Sequence, residues 1–150
     1  MTRVCFVGKL DISLRDELFS RDTSRAALQT YTLSQPFANS IAVDTVSLGA
    51  AVALCNDLNW YLTRFVDTVL IKEPSISNNE WLSRLLATDV RDRKLPPEET
   101  DQYLTVYGVT ENRLVEPMYV TRIDGSIPSY DLQDVEETVV VRVAKREFSH

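Results

Sequence analysis

Residues 45–66 read TVSLGAAVALCNDLNWYLTRFV, and no other stretch restricts the fold as strongly. From Leu48 the apolar residues recur at Val52, Cys55, Leu58, Leu62 and Phe65, in steps of three and four. Asn56, Asn59, Thr63 and Asp67 gather on the other side, with Asp57 and Arg64 beside them. That spacing is one apolar face of an α-helix sustained over about five turns. Ser47 stands where an N-cap hydroxyl belongs. A helix of this kind must bury its seam against a second layer, and its flanks, Ile41–Val46 (IAVDTV) and Thr68–Glu73 (TVLIKE), are β-rich. The expected partner layer is therefore a sheet. The stretch is not a membrane span, because no window reaches 18 apolar residues without a charge.

The rest of the chain supplies more of that sheet. Arg3–Gly8 (RVCFVG) reads as a first strand, and Asp11–Arg21 (DISLRDELFSR) as a short helix capped by Ser13 or Asp11. Ala27–Leu33 (ALQTYTL) alternates in part and reads as a strand. On that reading residues 1–74 have the order βαββαβ of a ferredoxin-like unit. Read as helix, the same residues would make the first half a simple alternating α/β unit. Ser77-Asn78-Asn79-Glu80 has the pattern of a capping box and predicts a helix through WLSRLLATDVRDR, with Trp81, Leu82, Leu85, Leu86 and Val90 inward. Pro96-Pro97 ends it. Tyr103–Val109, Leu114–Ile123 and Thr138–Phe148 read as three antiparallel strands, the middle one confined to an edge or a bulge by Pro117. Residues 125–137 read as an acidic loop. The expected class is α+β: a single domain over residues 1–150, subdivided at most into residues 1–74 and 75–150.

Charge and motif content narrow the chemistry. The net charge is −6, and the half after residue 75 holds most of it. An acidic surface repels phosphate backbones, so nucleic acid is an improbable partner at ordinary ionic strength. Cys5 and Cys55 lie in apolar runs and read as inert core thiols. The single histidine, His150, closes the chain, which removes histidine-based triads and zinc sites from consideration. The four glycines are spaced neither as GxGxxG nor as GxxxxGK[ST]. No calcium-loop motif occurs. No catalytic residue, metal site or cofactor is expected, and the location expected by default is cytoplasmic.

Two places could hold a ligand. Lys9 follows Gly8 at the end of the first strand, just before a helix, where an ammonium group could meet a small anion. Asn56, Asn59, Trp60 and Arg64 share the polar side of the long helix, and an exposed Trp beside Arg and Asn has the composition of an interaction hot spot. The alternative is that the second half of the chain covers Trp60. With SLGAAVALCNDLNWYLTRFV, VEPMYVTR and VEETVVVRV in view, the chain resembles small uncharacterised proteins of salt-loving archaea. Twelve Arg against four Lys agrees with that resemblance, which implies a source and a location but carries no activity. The leading expectation is a non-enzymatic binding or regulatory domain that contacts a protein partner or a second copy of itself. The second is a small enzyme or regulator that binds an anionic phosphometabolite through Lys9 with Arg64 or Arg84. The third is RNA or ribosome association in a salty cytoplasm, through Arg84, Arg91, Arg93 and Lys94.

Overall fold

The computed structural model describes residues 1–128 and 136–148. His150 and most of the acidic loop expected over residues 125–137 lie outside them. The elements run β1 (Thr2–Gly8), α1 (Leu14–Phe19), α2 (Asp22–Leu28), β2 (Ser40–Thr45), α3 (Leu48–Asp57), α4 (Asn59–Phe65), β3 (Val66–Lys72), β4 (Trp81–Ser83), α5 (Arg84–Arg91), β5 (Tyr103–Thr110), β6 (Arg113–Thr121) and β7 (Glu137–Arg142). Among the described residues the seven strands form one sheet in the order β2-β1-β3-β4-β7-β5-β6. Every pairing is antiparallel except that of β4 with β7. The expected α+β class holds.

β1 lies between β2 and β3, and its alternation sorts the two faces. Val43, Val4, Ile71 and Leu82 stand opposite one another in register and face the helices. Ala42, Cys5 and Leu70 form the neighbouring row on the other face, with Val7, Trp81, Val141 and Val143. The helices cover the first face with Leu14, Leu18, Leu28, Val52, Cys55, Leu58, Leu62 and Leu86, all buried. Phe37, from the loop before β2, packs with Trp81 over the second face, at 6.5 Å between ring centroids. The amide of Ala38 donates to the carbonyl of Asn112 in the β5–β6 turn (2.8 Å). The sheet therefore curls enough to bring the loop before β2 onto the β5–β6 turn.

The expected strand over residues 27–33 does not form. Asp22–Leu28 is helical and buries Ser24 and Leu28, and residues 29–33 are turn and coil. The first half is thus the alternating arrangement, with two short helices in each crossover, and the ferredoxin-like order is not observed. Threonine and tyrosine favoured a strand locally, but burial of Leu28 under the helical layer decides the outcome.

The long helix of residues 48–65 is in fact two. Ser47 caps the first, its hydroxyl accepting from the Ala50 amide at 3.1 Å. At Leu58 the backbone leaves helical geometry (φ −96°, ψ 8°), while the Leu58 side chain stays fully buried. The break keeps the apolar seam on the core as the chain bends into β3.

The helix predicted from Ser77 also begins elsewhere. The Ser77 hydroxyl accepts from the amides of Asn79 (3.2 Å) and Glu80 (3.0 Å), which is half of a capping box. Trp81–Ser83 is nevertheless a strand, with Trp81 and Leu82 buried on opposite faces of the sheet. Ser83 becomes the N-cap, accepting from the Leu86 amide at 3.1 Å. The first two later strands appear close to their expected limits, the third ends at Arg142 instead of Phe148 because residues 145–147 form a 3-10 turn, and β6, which carries Pro117, is the sheet edge.

Candidate functional site

Helix α4 is short because β3 begins at Val66, and this places its outer side next to α1. Trp60 on that side is 48% exposed. The Arg64 guanidinium lies over the indole, 3.8 Å from its centroid, and its Nη1 donates to the Trp60 carbonyl at 2.9 Å. Arg21, from the segment between α1 and α2, approaches the same ring at 5.6 Å and the Phe65 ring at 5.1 Å. Glu17 holds Arg21 there through an ion pair of 3.2 Å. Tyr61 and Phe65 meet Trp60 edge-on, at 5.0 and 6.3 Å between centroids. The indole thus meets two guanidinium groups, each contact contributing about 0.5–1 kcal/mol at an exposed site.

Asn56 and Asn59 do not join that cluster. Both point to α5, where their Oδ1 atoms accept from Arg84 at 3.1 and 2.9 Å. A further Arg84 donor reaches the Cys55 carbonyl at 3.3 Å. A cation at the end of α3 also offsets that helix's dipole. Lys9 is exposed; its amide donates to the Phe65 carbonyl (3.0 Å), and its ammonium lies 3.5 Å from the Thr63 carbonyl. It faces the C-terminal carbonyls of α4 rather than the start of α1. The residues grouped by sequence thus separate: Trp60 and Arg64 with Arg21, Asn56 and Asn59 with Arg84, and Lys9 at the end of α4. Arg21 was invisible to sequence reasoning, because no local pattern brings it to Trp60. Arg84 and Arg91 occupy opposite ends of α5, and Arg91 is paired with Asp92 at 2.9 Å.

Beside Arg84 the sheet opens. β4 stops at Ser83, and the space beyond it is a cavity of about 580 Å³ between β3, α5 and the β7-β5-β6 strands. Arg84, Asp67, Thr68, Tyr107, Tyr119 and Val141 are among its walls. Burial pushes the Tyr107 hydroxyl above its ordinary pKa, against a hydrogen bond with Thr68 that lowers it. A second, wider hollow of about 1210 Å³ lies between α5 and the C-terminal segment, lined by Asp89, Lys94, Glu98, Tyr103 and Arg146. Neither cavity includes Lys9, Trp60 or Arg64. Cys5 and Cys55 are buried, which raises their thiols to about 12 and about 11, so neither is a thiolate near neutral pH. Among the described residues no cluster of three His, Cys, Asp or Glu side chains is arranged to hold a metal ion. No helix among them is long and apolar enough to cross a membrane.

Together these features define an α+β protein with one curled sheet, an exposed aromatic–guanidinium cluster, and a cavity where a short strand ends. Residues 2–109 match the family model described as a family of unknown function, DUF5804, and the chain belongs to that family. The match runs from β1 to nearly the end of β5 and so includes Trp60, Arg64 and Arg84. No curated protein and no solved structure matches the chain.

Proposed function

We propose that the protein is a non-enzymatic binding domain that docks an acidic segment of a partner protein on the face formed by α1 and α4. The observation that carries this reading is Trp60, half exposed yet held in place by contacts with Arg64 and Arg21. A large ring fixed in that way gives up little conformational freedom on binding, and Trp and Arg are the residues most often found at the energetic centre of interfaces. Charge complementarity selects the partner. Arg64, Arg15 and Lys9 have no carboxylate within ion-pair distance among the described residues. In a chain of net charge −6, unpaired cations around an exposed indole form a surface complementary to acidic side chains.

The excess of Arg over Lys and the acidic balance support a source among salt-loving archaea and a cytoplasmic setting. In molar salt the Debye length falls to about 3 Å, so long-range steering is lost. Stacked contacts between arginine, indole and carboxylate act at shorter range and remain, which suits a Trp-centred site to that setting.

Titration with synthetic Glu/Asp-rich peptides carrying one aromatic residue, followed by Trp fluorescence and calorimetry, tests the proposal. Saturable binding is expected, weakened about 30-fold by Trp60→Ala and measurably by Arg64→Ala, with circular dichroism unchanged. Equal affinity in the Trp60→Ala variant would overturn it. So would sedimentation showing a dimer that Trp60→Ala converts to a monomer, since the occupant would then be a second copy of the chain.

A further inference from the structure

We propose that the cavity at the end of β4 binds a free α-amino acid with an apolar or aromatic side chain. The argument starts from two charges on its wall. Three of the five N–H donors of Arg84 are engaged, by Asn59, Asn56 and Cys55, and none by a carboxylate. Asp67 has no cation within ion-pair distance among the described residues. Both residues line the same space, and they do not pair with each other. A simple anion bound there would meet Arg84 but be repelled by Asp67, and a simple amine would meet the reverse. A neutral guest would displace water from both charges and satisfy neither. A zwitterion satisfies both, its carboxylate on Arg84 and its ammonium on Asp67.

A second carboxylate lies on the wall: Glu147 Oε2 accepts from the Ser83 hydroxyl at 2.6 Å and from the Ala144 amide at 2.7 Å, which leaves Oε1 to share the ammonium with Asp67. The remaining wall sets the side-chain preference. Val141, Val143 and the rings of Tyr107 and Tyr119 face the cavity, and these surfaces suit an apolar or aromatic group. The volume, about 580 Å³, falls within the range of small-molecule sites, about 300–1,000 Å³. Trp60 does not line this cavity, so the site stands or falls independently of the docking face.

Isothermal titration calorimetry on the purified chain tests the assignment, with leucine, isoleucine, valine, methionine, phenylalanine, tyrosine and tryptophan as ligands. At least one is expected to bind saturably. For that side chain, the methyl ester, which lacks the carboxylate charge, and the 2-hydroxy acid, which lacks the ammonium, should each bind at least tenfold more weakly. Asp67→Asn, at an exposed position, should weaken the amino acid at least tenfold and leave the 2-hydroxy acid unchanged or tighter, an inversion that mere destabilisation would not produce. The ester probes the Arg84 contact without a variant that would also unfasten α3 from α5. Absence of binding by all seven amino acids would overturn the proposal. Equal affinity for the ester or the hydroxy acid, or an unaltered Asp67→Asn variant, would do the same.

Discussion

At the scale of single residues, the join between β1 and α1 depends on Asn39 and Gly8. Asn39 sits in the left-handed region (φ 52°), which asparagine tolerates better than most residues. Its Oδ1 accepts from the Leu14 amide at 2.8 Å, and its Nδ2 donates to the carbonyls of Lys9 and Ile12, both at 2.9 Å. One side chain thereby replaces the backbone partners that a strand-to-helix turn lacks. Gly8 leaves the room for it: a Cβ there would meet Asn39 Nδ2 at 2.7 Å and Leu14 Cβ at 2.9 Å. Gly8→Ala is therefore expected to destabilise the fold by about 1–3 kcal/mol, measured by urea unfolding. Thr63→Ser, on the exposed side of α4, serves as a control and should leave stability within about 0.5 kcal/mol. The glycine ending the first strand was legible in the sequence. The reason it must be glycine was not, because the atom it avoids belongs to a residue in the next crossover.

At the scale of elements, β4 and α5 show tertiary context overriding a local signal. The capping pattern at Ser77 is real, and the Ser77 hydroxyl forms its expected hydrogen bonds. Glu80, however, is drawn into an ion cluster instead of folding back. Its two oxygens accept from Arg122 at 2.6 Å and from Arg142 at 2.7 Å, and all three side chains are at most 15% exposed. Arg142 also donates to the Thr100 hydroxyl at 2.9 Å, and Arg122 to the Asp101 carbonyl at 3.0 Å. The cluster fastens the segment before β4 to β7 and to the end of β6. Burial acts to raise the Glu80 pKa, but the hydrogen bonds and charges of the two arginines outweigh it, and the net shift is downward. A carboxylate lowered in this way adds stability that is present above its unfolded pKa, about 4.3, and is lost as pH falls through the folded value. Asp89, lowered chiefly by its hydrogen bond with Arg146, acts in the same direction. Stability should therefore decline below about pH 4.5. Glu80→Gln, which leaves two guanidinium groups facing each other, should cost about 3 kcal/mol at pH 7. The gap from wild type should narrow at pH 3.5, and urea unfolding at the two pH values measures both effects. An equal gap at both values would mean that the Glu80 charge contributes nothing to the fold.

At the scale of the whole molecule, protection should follow the sheet order. β1 is hydrogen-bonded on both sides and covered on both faces, whereas β6 has one open edge. Amide hydrogen exchange should therefore be slowest at Val4, Cys5 and Phe6 and fastest, among strand residues, along β6. Comparable protection in β6 would mean that its edge is covered in solution. The amphipathic seam from Leu48 to Phe65, the cap at Ser47 and the positions of the three later strands could be read from the amino-acid order. Each depends on contacts within a few residues or on a periodicity that burial of one face requires. Other features needed the folded chain: the helical state of residues 22–28, the strand at Trp81–Ser83, the meeting of Arg21 with Trp60, and the cavity shared by Arg84 and Asp67. Local propensities at those positions differ by a fraction of a kcal/mol, and burial of Leu28, Trp81 and Leu82 outweighs them. A neighbour brought from another element by the curl of a sheet leaves no periodicity in the sequence, so only the tertiary structure decides which side chains meet there.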